Sequence, residues 1–387
     1  MPLLFLVQSS PAAAFDRWAA HYGKSYSSLS ERATRFAAFS ANLERVRAHA
    51  ALAAAGGAPP SYSLGLNGHA DLTTAEFRAI YFGADPRDMR VTRAKQHEAY
   101  AAQAEGAEGK EEAAAVSASS AGALSSGKEE KPFRVPWPYA DTVPPASIDW
   151  EEAGILGPIK NQHVNGSPCG CCFAFGGVAG VEAAAALYTG EVVPLSEQQV
   201  VSCDDFDFGC EGGAFDSVFR YAIVNGGLDT EADWPYLAYE AACPRRKERT
   251  RRRATIDAIV DVPEKSEEAL LKTVAHRPTS VGVCCGDGID AWHLYAGGIL
   301  NASAHCVEPI DHAVLVVGFG ETEDGTQFWK IRNSWGEQWG DRGYMYILRN
   351  VSAPEGQNGV ATFPGYPIKT SPNPPQNDQE LPFFQSI

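Results

Sequence analysis

All nine cysteines of the chain fall between Cys169 and Cys306, and the N-terminal third carries none. A dense, irregularly spaced set of this kind staples one domain and leaves the segment ahead of it to fold by other means. The odd total leaves at least one thiol without an intramolecular partner. The chain therefore reads as a disulfide-bearing domain behind a separable leader. At 387 residues and 44% hydrophobic content it is long enough for one sizeable core and a second folding unit. Its formal net charge of −16 argues against a nucleic-acid partner, because a phosphate backbone would be repelled over most of the surface. No apolar run approaches the roughly 20 residues of a spanning helix, so no membrane span is expected. The early apolar run from Pro2 to Val7 lacks a basic leader, and residues 1–14 are read as a partial signal peptide. Asn165-Gly166-Ser167, Asn301-Ala302-Ser303 and Asn350-Val351-Ser352 fit the glycosylation acceptor pattern and agree with a secreted, lysosomal or vacuolar destination.

Composition divides the chain further. From about Phe15 to Gly83 the pattern is helical, with Phe36, Phe39, Leu43 and Val46 on one stripe that must bury itself on something. Thr73 to Glu76 forms a capping box. From Pro86 to Thr142 the chain is Ala, Ser, Gly, Glu and Lys without periodicity, which cannot offset its ordering entropy, so residues 86–142 are read as a linker. Order is expected from Val143. Phe175, Val178, Val181 and Leu187 are spaced for a helix that places Cys172 at its N-terminus, and Ser196 to Gln199 offers another capping box. Ala313 to Gly318, Phe328 to Arg332 and Tyr344 to Leu348 read as strands. A helical half followed by a strand-rich half, with a cleft between, is the expected α+β architecture. The basic cluster Arg245-Arg246-Lys247 and Arg251-Arg252-Arg253 reads as a solvated loop, and residues 369–387 as an unstructured tail.

Cys172 lies in Cys169-Gly170-Cys171-Cys172-Phe173-Ala174-Phe175, with Asp311-His312-Ala313 and Asn333-Ser334-Trp335-Gly336 far downstream. That is the chain order of a thiol nucleophile, its base and a group that orients the base. A free thiol with pKa near 8.5 is mostly protonated at mildly acidic pH, and a helix N-terminus together with an imidazolium lowers such a pKa to roughly 3 to 4. His312 would hold the proton and later give it to a leaving amine. Asn333 would orient the ring through its side-chain oxygen, and Trp335 would shield that bond from water. A buried or disulfide-bonded Cys172 and a core His312 are the bland alternatives, disfavoured once the motifs stand in order. Zinc is disfavoured because adjacent cysteines point apart and no second Cys or His pair lies at ligand spacing, so neither metal nor cofactor is expected.

Gln162, the Cys169 to Phe175 run, Gly209-Cys210-Glu211-Gly212-Gly213, Asp311-His312-Ala313 and Asn333-Ser334-Trp335-Gly336 resemble the papain-like cysteine peptidases in order and approximate spacing over residues 143–368. Glu31, Arg35, Phe39, Asn42 and Val46, followed by Gly65-Leu66-Asn67-Gly68-His69-Ala70-Asp71, resemble the signatures of the inhibitory propeptide found ahead of that family, here residues 15–85. Ala50 and His69 depart from those signatures. The resemblance implies a helical left lobe, an antiparallel β-barrel-like right lobe and a zymogen that becomes an endopeptidase acting on extended polypeptides. It implies Cys172 as nucleophile, His312 as acid/base, Asn333 as orienting residue, and Gln162 with the Cys172 N–H as oxyanion donors, each such donor contributing about 2.7 to 4 kcal/mol. Gly212, Gly213, Trp335, Asp311 and Ala313 would line the substrate site, with Gly213 offering backbone hydrogen bonds. The family's disulfides correspond to Cys169 with Cys210 and Cys203 with Cys243. A third cannot be copied: Cys306 matches one end, its partner position is Ala361, and either Cys284 or Cys285 stands in or Cys306 is free. The implied partners are polypeptide substrates, the chain's own propeptide and cystatin-like inhibitors, with the protein a monomer.

Other departures bear on activity. His163 to Pro168 is longer than the family pattern between Gln162 and Cys169, so an outward bulge would keep the oxyanion hole and an inward one would weaken it. Phe173 replaces a tryptophan. Cys171 replaces a serine and stands beside the nucleophile, where oxidation could join the two in a strained vicinal disulfide. These departures also admit a second class of function, a catalytically silent binding or storage protein on the same fold.

Overall fold

The computed structural model describes residues 9–54, 60–83, 133–164, 168–244, 254–285, 289–301 and 310–373. Helix α1 spans Pro11–His21 and α2 spans Leu29–Ala54. Ser10 caps α1 by accepting from the Ala13 N–H, and Pro11 stands where no N–H is needed. Phe15 and Trp18 of α1 pack on Phe39, Leu43 and Val46 of α2, so the expected stripe is the face that α2 turns to α1; Phe36 is only partly buried there. Helix α1 thus begins at Pro11, within the stretch read as leader, and Ala14 belongs to this core. Residues 1–8 lie outside the described residues.

A short strand β1 (Tyr62–Leu64) and helix α3 (Thr74–Tyr81) follow. Thr73 Oγ1 accepts from the Glu76 N–H and the Glu76 carboxylate accepts from the Thr73 N–H, the capping box expected. Beyond residue 132 come β2 (Ile148–Asp149), α4 (Cys172–Thr189), α5 (Glu197–Cys203), α6 (Phe215–Asn225), β3 (Ala258–Asp261), α7 (Glu267–Val274), β4 (Thr279–Val283) and α8 (Ile289–Leu294). Strands β5 (Tyr295–Leu300), β6 (His312–Glu321), β7 (Gln327–Arg332), β8 (Tyr344–Leu348) and β9 (Pro364–Ile368) complete the chain.

Helices α4, α5 and α6 share one core built on Phe173, Val178, Val181, Val218 and Phe219. A second core lies on the sheet around Val281, Val316, Trp329, Ile331 and Met345. Each fully buried side chain of this size contributes about 1.5 to 3 kcal/mol. The nine-stranded sheet runs β1-β5-β8-β7-β6-β4-β9-β3 with β2 on β6, and its pairs are antiparallel except β5 with β8. These are the expected helical and strand-rich lobes.

Helix α4 joins them. It is the one described helix long and apolar enough to cross a bilayer, and 78% of it is buried inside the protein, which makes it a core helix. Its small residues allow contact on two sides: a Cβ on Gly176 would lie 3.2 Å from the Ala313 Cβ, and one on Gly177 would lie 2.6 Å from the Val218 Cβ. Ser280 Oγ donates to the Gly176 carbonyl at 2.8 Å. The first turn of α4 is thereby pinned to the start of β6, where His312 sits.

Disulfides join Cys169 to Cys210 and Cys203 to Cys243, at sequence separations of 41 and 40. Each contributes about 4 kcal/mol in the chain-entropy model. Cys284 is also disulfide-bonded, whereas Cys171, Cys172 and Cys285 are free. Cys306 lies outside the described residues, as do Asn165 and the basic cluster Arg245 to Arg253.

Two expected disordered stretches are ordered in part. Val135, Trp137 and Tyr139 pack on Val260, Val262, Ala269 and Tyr366, and Trp137 Nε1 donates to Thr273 Oγ1 at 2.8 Å. The linker reading failed there because its average composition hid these local aromatics. Asp257 accepts from the N–H groups of Thr370 and Ser371, and Asn373 accepts from that of Thr255, so the tail is tethered at its start.

Candidate active site

Cys172 is the first residue of α4, fully buried, with Cys171 as N-cap. The backbone N–H groups of Ala313, at the start of β6, and of Gly83 act on its sulfur and lower the thiol's pKa against burial. His312 follows Asp311 at the first position of β6. Its Nε2 is 2.8 Å from Asn333 Oδ1, while Nδ1 has no hydrogen-bond partner among the described residues. The Trp335 ring lies over the imidazole at 4.8 Å between centroids and is itself fully buried, placing an apolar cover on the His312–Asn333 bond. The Asn333 oxygen also accepts from the Ser334 N–H at 2.8 Å, which fixes the amide orientation.

Gln162 is held from the sheet side. Its N–H donates to the Ser334 carbonyl at 2.9 Å, and Ser334 Oγ donates to its Oε1 at 2.8 Å. Gln162 Nε2 donates to the carbonyls of Tyr81 (3.2 Å) and Cys169 (3.3 Å). With the longer segment following it, Gln162 stays buried, its amide on the carbonyl of Cys169, three residues ahead of Cys172.

The cleft is filled by the N-terminal region. Phe77 and Tyr81 of α3 pack against Trp335, and Phe82 lies 5.5 Å from the His312 ring. The chain then crosses between Gly170 and Gly212 at Gly83, where a Cβ on Gly83 would overlap the Gly170 carbonyl. Arg78 reaches Asp311 at 3.3 Å, and Asp311 Oδ1 accepts from the Cys285 N–H at 2.9 Å. Of the two glycines expected to meet a bound chain, Gly212 makes the close approach. Gly213 is bare for a different reason, because a Cβ there would lie 2.5 Å from the Asp207 Cγ.

The propeptide-type residues hold this lid together and dock it. Asn42 Nδ2 donates to the carbonyls of Ala70 and Leu72, and Arg35 pairs with Glu76 at 3.0 Å. Asn67 Nδ2 donates to the His293 carbonyl at 2.7 Å. His69, where an aromatic residue was expected, places Nε2 3.0 Å from the Trp335 carbonyl and Nδ1 3.2 Å from the Tyr81 hydroxyl.

Burial reverses the titration expected of the central pair. It pushes the Cys172 thiol up to about 11, against backbone hydrogen bonds that lower it, and draws His312 down to about 4, against its bond to Asn333. Both shifts favour thiol and neutral imidazole. While the lid is on, the helix terminus does not outweigh desolvation. Nor does Cys171 bond to Cys172: it is a free thiol 2.9 Å from the Tyr236 hydroxyl. Sequence reasoning missed Arg78, Phe82, Gly83, Ser334 and Tyr236; the isolated Gly83 after two aromatic residues is the one local signal that a chain must pass a tight gap there.

Comparison with known proteins bears on this arrangement. The profile of the family described as papain family cysteine protease matches residues 144–368, and that of the cathepsin propeptide inhibitor domain (I29) matches residues 15–77. The chain is 37% identical over 353 residues to the senescence-specific cysteine protease SAG12 of Arabidopsis thaliana, covering 90% of this chain and 88% of that protein. It is 35% identical to the senescence-specific cysteine protease SAG39 of Oryza sativa subsp. japonica, covering 92% and 90%. Among solved structures, a recombinant stem bromelain precursor aligns with a TM-score of 0.73 at 28% identity, covering 93% of this chain and 99% of that one. The proform of the Amb a 11 cysteine protease, a major ragweed pollen allergen, aligns at 0.71 and 30% identity, covering 95% and 98%.

Proposed function

The chain belongs to the papain family of cysteine proteases and carries a cathepsin propeptide inhibitor domain, and on that premise we propose that it is an endopeptidase zymogen with Cys172 as nucleophile, His312 as acid/base and Asn333 as orienting residue. The observation that carries the reading is the assembly of three distant segments: Cys172 at a helix N-terminus, in one buried cluster with Ala313, and the adjoining His312 ring bonded to Asn333 beneath Trp335.

Once residues 78–83 leave the cleft, water returns and the thiolate–imidazolium pair is favoured by the helix terminus and by mutual attraction. The sulfur anion attacks the substrate carbonyl carbon, and the electron pair moves to the oxygen, which rests on Gln162 Nε2 and the Cys172 N–H. Collapse breaks the C–N bond as His312 passes its proton to the leaving amine, leaving a thioester. Water adds to that thioester with His312 taking a proton, and the acid and the free enzyme are released.

Residues 15–85 act as the inhibitor in this reading, residues 86–142 contain the activation segment and residues 143–368 form the protease domain. Polypeptides are the substrates, cystatin-like proteins are inhibitors from outside, and the active form is a monomer. A lysosomal, vacuolar or secreted location accords with the disulfides and with Asn350 of the third sequon, exposed just beyond β8. The test is a fluorogenic peptide assay on the acid-treated, reduced protein at about pH 5. Hydrolysis by the wild type that Cys172→Ala abolishes supports the endopeptidase; absence of hydrolysis after removal of residues 15–85 favours a silent peptide-binding protein instead.

A further inference from the structure

The two oxyanion donors sit on separate segments, and the loop between them is longer than the family pattern. Gln162 is bound to the sheet lobe through Ser334, whereas the Cys172 N–H belongs to helix α4 of the other lobe. One side chain bridges them. The Tyr236 hydroxyl lies 2.9 Å from the Gln162 carbonyl and 2.9 Å from Cys171 Sγ. We infer that Tyr236 is a positioning residue that, together with the Cys171 thiol, sets the spacing between the Gln162 and Cys172 oxyanion donors.

Proton counting orders the chain of bonds. The Gln162 carbonyl has no proton, so the single phenolic proton goes to it, and the phenol oxygen is left to accept from the Cys171 S–H. This requires Cys171 to stay protonated, and burial pushes its thiol up. Tyr236 is itself held in place: its ring stands edge-on to Phe175 at 5.0 Å, and its N–H donates to Glu231 Oε1 at 2.8 Å. The flanking chain is pegged to α5, with the Leu237 N–H donating to Gln198 Oε1 and Ser196 Oγ to the Trp234 carbonyl. A hydroxyl carried on so fixed a backbone can hold two partners at constant separation. It also accounts for the buried Cys171, which needs a weak donor and not a nucleophile.

The inference rests on the reading of Gln162 as an oxyanion donor, so the test varies both residues in the acid-activated full-length protein. Tyr236→Phe keeps the ring packing and removes the bridge; kcat is expected to fall about five- to tenfold at unchanged KM. Binding of a peptide aldehyde, whose adduct places an oxyanion in the hole, should weaken by the same factor. Alkylation of Cys172 by iodoacetamide, which needs the thiolate but no oxyanion hole, should be unchanged. Cys171→Ala should show a smaller loss of the same kind, rescued by Cys171→Ser. In a Gln162→Ala background the Tyr236→Phe effect should vanish. An alkylation rate that falls with kcat, or a Tyr236→Phe loss undiminished without the Gln162 side chain, overturns the bridge. A Gln162→Ala variant with wild-type kcat and aldehyde affinity removes the underlying assignment, and the bridge with it.

Discussion

Gly83 and Gly212 meet backbone to backbone across the cleft: a Cβ on Gly212 would overlap the Gly83 carbonyl, and Gly212 adopts φ +127, which side-chain-bearing residues rarely reach. The inhibitory segment thus crosses at a point where neither wall nor occupant has room for a side chain. Gly83→Ala should weaken docking of residues 9–83 by about 10- to 100-fold, corresponding to about 1 to 3 kcal/mol of backbone displacement. Comparing inhibition of the activated enzyme by the two forms of the separate N-terminal segment checks this; equal inhibition would mean that the chain does not cross at Gly83.

Docking should also depend on pH through His69 and His293, one on each side of the interface. Burial holds them down to about 3 and about 4, with Lys24, His163 and His293 facing His69, and Arg45, Asp290 and His69 facing His293. Undocked, each titrates near about 6.5. Above that pH both states are neutral and nothing is lost; below it the undocked state binds protons that the docked state excludes, so docking weakens as pH falls toward about 4. Each histidine then contributes about 25-fold between pH 7 and pH 5. The Cys172–His312 pair adds little in this window, since thiol plus imidazole and thiolate plus imidazolium hold equal numbers of protons. The slope of log Ki against pH should approach about −2 below pH 6 and shrink to about −1 in His69→Phe; an unchanged slope would contradict the assignment.

Asn333→Ala should remove the charge-assisted bond that orients His312 as it becomes imidazolium. A loss of about 1.5 to 3 kcal/mol lowers kcat by about 10- to 100-fold with little change in KM. Steady-state kinetics on the activated protein measure it.

Behind the site, Lys160 Nζ donates to Glu182 Oε1 at 2.8 Å, Glu197 Oε1 at 2.7 Å and the Leu195 carbonyl at 2.7 Å, all largely buried. Lys160→Met strands two buried carboxylates without a counter-charge. Urea unfolding should show a loss of about 3 to 5 kcal/mol.

The parts of the site that the sequence exposed are those where chemistry dictates residue type. The helix start at Cys172 and the His312–Asn333 contact were legible because the proposed nucleophile, base and orienting amide admit few residue types, and because the Ala-rich run after Cys172 marks a helix start. Roles assigned by three-dimensional proximity stayed hidden. Strand β1 has only three residues, and its pairing partners at Gly297 and Gly298 are far along the chain. Tyr236 looks like any core aromatic until its hydroxyl is seen between Gln162 and Cys171. The raised Cys172 thiol of the closed form was not legible, because the sequence showed the helix terminus and the imidazole but not the lid that buries both.

The most direct measurement is mass-spectrometric mapping of a thiol-directed epoxide on the full-length protein before and after acid activation. The account predicts no label at neutral pH on the closed zymogen, and after activation one label, on Cys172, accompanied by loss of peptide hydrolysis. Label confined to another cysteine, or hydrolysis that survives complete labelling of Cys172, would contradict it.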